Sequence, residues 1–233
     1  MDESFTKQQS VSILYDAALC EPPAPEWFQP EWWRQRGLVT DRLGGRGQAL
    51  GVVSPAGHAV LRRFHRGGLI ARVSADRFLG LNAARSRAFR EFRLLARLRA
   101  LALPVPEPLA ASFEPVGPCY RAALLTRRIP EARELAVLAS TLERSGWQQL
   151  NETLARFFAA GLCHPDLNAR NIVLGGSGQW YLLDFDRARL ATGAVSGHAM
   201  RRRLARSLAR LVPPGWEVDF DATVGARRRS AGG

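Results

Sequence analysis

The stretch at residues 164–186, HPDLNARNIVLGGSGQWYLLDFD, constrains this chain more than any other. It reads as an acidic loop, a short hairpin and a second acidic turn. Asp166 lies five residues before Asn171, and Ile172-Val-Leu174 follows as a short apolar strand. Gly175-Gly-Ser-Gly178 makes a turn and Trp180-Tyr-Leu-Leu183 returns as the partner strand, with Asp184-Phe185-Asp186 directly after it. A hairpin with Asp and Asn at its entrance and Asp at its exit gathers three oxygen-bearing side chains at one end. A Mg²⁺–phosphate site needs such a gathering, because Mg²⁺ takes one or two protein ligands and draws the rest from phosphates and water. The plainer reading makes these Asp and Asn residues turn formers between strands.

The spacing matches the protein-kinase catalytic loop, H-x-D-x-x-x-x-N, followed by D-F-x. A lone D-x₄-N would favour plain turns. His164, the apolar hairpin and Asp-Phe at the right distance shift the balance to a kinase-like site.

At 233 residues and 46% apolar composition, the chain is long enough for one large lobe or two small ones sharing a cleft. No stretch approaches the ~20 uninterrupted apolar residues of a membrane span. The polar, acidic start MDESFTKQQS is unlike a secretory signal. Cys20, Cys119 and Cys163 have neither disulfide nor metal-ligand spacing, which fits a reducing compartment. Cys163 beside His164 invites a nucleophile reading; a buried small residue suits its neighbourhood better. The net charge of +12 is uneven: residues 61–110 carry 11 basic groups against 3 acidic, and residues 191–233 carry 8 against 3. Such patches suit phosphates, anionic lipid headgroups or nucleic acid. All but one of the basic residues are Arg, Lys7 being the sole lysine.

Residues 1–36 read as an irregular aromatic and Pro-rich extension with one short helical turn. Trp27, Phe28, Trp32 and Trp33 suit either a membrane interface, a sugar ring or, more often, packing over a domain edge. From Leu38 strands and glycine turns take over. Gly44, Gly45 and Gly47 form a glycine-rich turn through which backbone N–H groups can approach phosphate oxygens, though most such turns only close hairpins. The strand over residues 58–65 places Val60, Arg62 and Phe64 on one face and Leu61, Arg63 and His65 on the other. Protein kinases put a phosphate-binding lysine on the equivalent strand. With no lysine available, Arg62 is the candidate, and its guanidinium grips phosphate bidentately. A helix is expected over residues 83–101, ended by Pro104, with Glu91 as its one acid. Glu91 resembles the kinase Lys–Glu partner, here Arg62–Glu91; a local partner for Arg87 is the other reading. Strands at 109–113 and 121–129 lead to helices expected at 131–142 and 146–160, the second delivering the chain into the acidic loop. Forty-nine residues follow Asp184, too few for a peptide-holding activation segment. Instead a basic amphipathic helix is expected near 198–211, with Leu204, Leu208 and Leu211 on one side and arginines elsewhere. It suits capping of the lower lobe or an anionic membrane surface. The basic tail, 216–233, reads as disordered.

These features together give an α+β, two-lobed, protein-kinase-like fold. Residues 37–129 form a small β-rich N-lobe and residues 130–215 a shortened helical C-lobe. Gly-Arg-Gly, Val-Leu-Arg-Arg-Phe-His-Arg-Gly-Gly, Phe-Arg-Glu-Phe-Arg-Leu-Leu, Leu-Pro-Val-Pro-Glu-Pro, His-Pro-Asp-Leu-Asn-Ala-Arg-Asn-Ile and Leu-Asp-Phe-Asp-Arg-Ala-Arg-Leu resemble the Kdo kinases of the lipopolysaccharide kinase family over roughly residues 37–211. The resemblance implies ATP-dependent phosphorylation of the 4-hydroxyl of 3-deoxy-D-manno-octulosonic acid (Kdo) on a lipid A precursor. It also implies a peripheral place on the anionic surface of a bacterial inner membrane, at its cytoplasmic face. No nucleic-acid partner is expected. Heptose kinases of the lipopolysaccharide core share much of the pattern. A compact atypical protein kinase and a non-catalytic, membrane-binding pseudokinase are the remaining alternatives.

Carried onto this chain, the resemblance makes Asp166 the residue that accepts the sugar hydroxyl's proton. Asn171 and Asp184 become the Mg²⁺ ligands, Gly44, Gly45 and Gly47 the cover over the phosphates of ATP, and Arg62 with Glu91 their clamp. Pro165 and Asn168 depart from the protein-kinase pattern and weaken a protein-substrate reading. Asp186 replaces its last glycine, as a turn carboxylate or as an outer group of the site.

Overall fold

Apolar and β-branched runs in the first half of the chain pair into one antiparallel sheet. The computed structural model describes residues 1–43, 49–64, 78–79, 82–209, 211, 216–219 and 225–228. The described strands of the sheet are β1 (Glu3–Gln8), β2 (Val11–Asp16), β3 (Val39–Leu43), β4 (Ala49–Ser54), β5 (Gly57–Arg63), β6 (Phe78–Leu79), β7 (Pro108–Val116) and β8 (Cys119–Arg127). Their order is β1-β2-β7-β8-β5-β4-β3, with β6 beside β8. The chain is thus a mixed α+β protein with a large antiparallel sheet.

Contacts divide it into two compact units. The first is Met1–Arg97 with Pro106–Arg128; the second is Leu98–Val105 with Ile129–Gly233.

In the first unit the expectation of an irregular extension over residues 1–36 is corrected. β1 and β2 form a hairpin, and β2 pairs with β7 from Ser12↔Phe113 to Tyr15↔Ala110. Ser12 to Asp16 are buried throughout, so this strand has no polar alternation by which to recognise it. The aromatic cluster packs. Helix α1 (Pro30–Gln35) sets Trp33 fully into a core with Phe28, Ile13, Leu50, Leu61 and Leu125, and Trp27 and Trp32 pack against it. The Trp33 indole N–H donates to the Trp27 carbonyl at 2.7 Å, which removes the cost of burying it.

The helix expected at 83–101 begins later, as α2 (Arg87–Ala100) behind a 3₁₀ turn at Ala83–Arg85. Ser86 is extended there, and its Oγ accepts from the Phe89 N–H at 3.3 Å, as an N-cap does. In this unit it buries Ala88, Phe89, Phe92, Leu94, Leu95 and Ala96, together with Glu91.

In the second unit the helix expected at 131–142 gives way to a short strand, β9 (Arg133–Glu134), and a single turn, α3 (Leu135–Leu138). β9 pairs with a later strand, so those residues satisfy their backbone in a sheet instead. Helix α4 (Arg144–Ala159) buries Trp147, Leu150, Leu154, Phe157 and Phe158, each contributing roughly 1.5–3 kcal/mol. Gly161 then turns the chain at φ +85°, where a Cβ would strike the Gly193 and Ala191 carbonyl oxygens. The chain continues through β10 (Leu162–Cys163), β11 (Ile172–Leu174), β12 (Trp180–Leu182) and β13 (Arg189–Leu190) to α5 (His198–Leu208). β11 and β12 pair antiparallel as the central hairpin, Ile172↔Leu182 to Leu174↔Trp180.

The tail differs from the disorder expected of it. β14 (Trp216–Asp219) pairs with β15 (Gly225–Arg228), and Trp-Glu-Val-Asp alternates apolar with acidic residues at the period of a strand. Among the described residues no helix is long and apolar enough to cross a membrane.

Candidate active site

The loop between β10 and β11 is fixed by its own asparagines. The Asp166 carbonyl accepts from Asn168 Nδ2 at 2.8 Å and from Asn171 Nδ2 at 3.1 Å. Asn168 Oδ1 also accepts from the Arg170 N–H, capping the short 3₁₀ turn Ala169–Asn171. Helix α5 braces the loop from outside, where Ser207 Oγ accepts from the Ala169 N–H at 3.0 Å. Leu204 and Leu208 of α5 are fully buried, so the helix packs on this unit through the side predicted to be apolar, while Leu211 is exposed.

The two acidic turns are tied through one bonded run. His164 Nε2 meets the Leu183 carbonyl at 3.1 Å, and the Leu183 N–H donates to the Asn171 carbonyl at 2.8 Å. A carbonyl only accepts, so Nε2 carries the imidazole proton and Nδ1 is bare. Nδ1 has no hydrogen-bond partner among the described residues. His164 is 1% exposed, its ring tilted against that of Phe185 with centroids 5.2 Å apart. Burial holds its pKa below the ordinary 6.5, against the opposing pulls of the Leu183 carbonyl and of the Asp184 and Asp166 charges. Asp184 stands beyond the hairpin at φ +61°, a left-handed conformation that Asp tolerates at a small cost and that recurs at functional turns.

Asp166 is flanked by two arginines. Arg203 Nη2 of α5 donates to its Oδ1 at 2.9 Å, and Arg187 Nη1 approaches Oδ2 at 3.5 Å. The sequence gives neither a part in the acidic site. Arg187 lies inside the Asp-Phe-Asp-Arg run, and Arg203 is one of three consecutive arginines that no sequence rule separates. Asp186 is half-buried beside them.

In the first unit Arg62, on β5, forms an ion pair with Glu91 of α2. Glu91 is buried, and the Arg62 guanidinium lies 4.7 Å over the Phe64 ring. Gly44, Gly45 and Gly47 lie outside the described residues; the strands flanking them, β3 and β4, pair antiparallel. Arg63 follows Arg62 at the end of β5, half-buried.

Asn171 and Asp184 are the candidate metal donors. Asn171 Nδ2 is committed to the Asp166 carbonyl, so its Oδ1 is the end left for a cation. Among the described residues no group of three or more His, Cys, Asp or Glu residues could hold a metal by itself. Two oxygen donors are what a Mg²⁺–nucleotide complex takes from a protein, so the set fits.

Residues 30–217 match the model of the lipopolysaccharide kinase (Kdo/WaaP) family. The 3-deoxy-D-manno-octulosonic acid kinase of Xanthomonas euvesicatoria pv. vesicatoria (strain 85-10) is 44% identical over 202 residues, covering 86% of this chain and 81% of that protein. The protein of the same name from Stenotrophomonas maltophilia (strain R551-3) is 41% identical over the same shares. A solved structure, WaaP in complex with acyl carrier protein, aligns with a TM-score of 0.49 at 13% identity, covering 78% of this chain and 80% of that one.

Proposed function

The chain belongs to the lipopolysaccharide kinase (Kdo/WaaP) family, and from that premise we propose that it is a Kdo kinase of lipopolysaccharide core biosynthesis. It transfers the γ-phosphoryl group of ATP to the 4-hydroxyl of Kdo on a lipid A precursor. Its two units are the β-rich N-lobe and the shortened helical C-lobe of a protein-kinase-like fold. The observation that carries this reading is the bonded run from His164 through Leu183 to Asn171 and Asp166, which links both carboxylate-bearing turns to one hairpin.

Asp166 Oδ takes the proton of the sugar hydroxyl as its oxygen attacks the γ-phosphorus. The bond from that phosphorus to the β,γ-bridging oxygen breaks and ADP leaves. The asparagine side chains on the Asp166 carbonyl keep the loop from swinging, so the carboxylate meets the hydroxyl in a fixed orientation. Asn171 and Asp184 are the protein's ligands to Mg²⁺, which when bound offsets charge on the β- and γ-phosphates. Arg62, fixed by Glu91, grips phosphate oxygens, and the turn holding Gly44, Gly45 and Gly47 covers them. The exposed Arg202 and Arg206 of α5 face anionic lipid, giving a peripheral place at the cytoplasmic face of the inner membrane.

Incubation with γ-labelled ATP, Mg²⁺ and lipid A acceptors carrying either Kdo or heptose tests the function. Label on the 4-hydroxyl of Kdo alone is expected. Label on heptose or on protein would overturn it.

A further inference from the structure

Beside the catalytic loop lies a cavity of about 310 Å³, at the small end of the range for ligand pockets and sized for a single sugar ring. Pro165, Arg187, Arg189, Gly197, His198 and Met200 are among its lining residues. Its position is set by register. In the β10–β13 pair, Arg189 lies opposite Cys163, three residues before Asp166. Ala188 between the two arginines is buried, and both arginines are exposed. The N-terminal turn of α5 forms another wall, and Gly197 starts it at φ +69°, where a Cβ would collide with the Phe158 ring.

The cations of this cavity exceed what the mechanism uses. Arg203 alone already holds Asp166 Oδ1. Arg187 approaches Oδ2 only at 3.5 Å, with its side chain 66% exposed. Arg189 makes no ion pair among the described residues. Two arginines among the residues lining a ring-sized cavity, next to the carboxylate that must meet the acceptor's hydroxyl, call for an anion on the acceptor itself. A neutral hexose or heptose carries none. A sugar acid does, within the span of its own ring.

We propose that Arg187 and Arg189 form the subsite for the acceptor sugar's carboxylate, seating the sugar acid in this cavity with its hydroxyl at Asp166. The inference rests on the kinase reading above. Guanidinium groups bind carboxylates in a charge-assisted, two-pronged geometry, and a site built for such a group discriminates strongly against analogues lacking it. Recognition of Kdo over neutral core sugars then comes from charge, and the neutral sugar leaves Arg189 unmatched.

The test crosses a protein change with a substrate change. Steady-state kinetics are measured for the full-length enzyme and Arg189→Gln on the Kdo acceptor and on the same acceptor with its carboxyl reduced to the alcohol. Reducing the carboxyl is expected to lower kcat/KM about 10- to 100-fold for the unmodified enzyme, mainly through KM, the size of a lost charged hydrogen bond. Arg189→Gln is expected to lose a similar factor on the native acceptor, and the two losses should not add when combined. Arg189→Lys should recover part of the loss. Arg187→Gln should show the same non-additivity, with kcat also affected because that residue touches Asp166. Both side chains are exposed, and a native circular dichroism spectrum checks that the variants fold. Additive losses, or an unmodified enzyme indifferent to the carboxyl, would overturn the subsite while leaving the kinase reading in place. Absence of transfer to the native Kdo acceptor by the unmodified enzyme would overturn both.

Discussion

In the first unit the acid is the sheltered member of its pair: the Glu91 side chain is 3% exposed and that of Arg62 25%. In the second unit the acid is again the less exposed member, but the whole group lies at the surface. Asp166 is 31% exposed, and its arginines, Arg203 and Arg187, are 48% and 66% exposed. A desolvated carboxylate left without its cation is costly, so Glu91 fixes Arg62 whether or not a ligand is present. A pair at the surface competes with water and is worth little, so the arginines on Asp166 can be displaced by an incoming substrate. The same two functional groups thus make a rigid mount for a cation in one unit and an exchangeable cover over a carboxylate in the other.

The sharpest way to break this contrast is Asp166→Asn. Loss of a positioned general base is expected to lower kcat about 10²- to 10⁴-fold while nucleotide binding, followed by a fluorescent ATP analogue, is retained. Unchanged kcat would reduce the Asp166 cluster to a surface ion pair with no part in the reaction. The second largest effect belongs to Glu91→Gln. Removing one charge of a buried pair should cost roughly 3 kcal/mol of stability, at the lower end of such changes because Arg62 is partly wet. Urea unfolding measures it, and a raised KM for ATP should accompany it. A cost below ~1 kcal/mol would place Arg62–Glu91 with the exposed pairs and erase the difference between the units.

What could be read from the sequence follows the same division. The hairpin and its flanking acids were legible because Ile172–Leu174 and Trp180–Leu182 are bounded by unambiguous turn residues. Helix α4 was legible from Trp147, Leu150, Leu154 and Phe158 at helical spacing. The Arg62–Glu91 contact was legible as a pairing because Glu91 has no rival acid on its helix. β2 was not, since burial on both faces erases alternation, and the residues of β9, expected in a helix, were claimed by a strand partner distant in sequence, β11. Arg203 was hidden for another reason. Its value lies in the packing of Leu204 and Leu208, which turns one arginine of three toward the loop, and only the fold makes that choice.

Arg203→Gln probes the exposed side of the comparison. Stability should fall by no more than about 1 kcal/mol, and the difference from the unmodified protein should vanish at ~1 M salt, where the screening length is near 3 Å. Glu91→Gln, by contrast, should keep its deficit in salt. A salt-resistant loss for Arg203→Gln would mean that its pair with Asp166 is structural and not open to exchange.

The smallest effect, absent at neutral pH, concerns the residue beneath the loop. Burial lowers the pKa of His164 below 6.5, so in the window beneath 6.5 the unfolded chain binds a proton that the folded chain refuses. The contribution of neutral His164 is complete above 6.5 and is lost as pH falls through the depressed folded value. Asp41, held below its ordinary 3.8 by the Thr40 hydroxyl and the Arg128 guanidinium, loses its contribution only in the more acidic window beneath that value, so the two can be told apart. Glutamine can still donate to the Leu183 carbonyl but does not titrate. In His164→Gln the unfolding midpoint should therefore stay level just below pH 6.5, where that of the unmodified protein declines. Equal slopes in the two proteins would mean that the imidazole is reached by water when protonated, and that the loop carrying Asp166 is held less firmly than its hydrogen bonds imply.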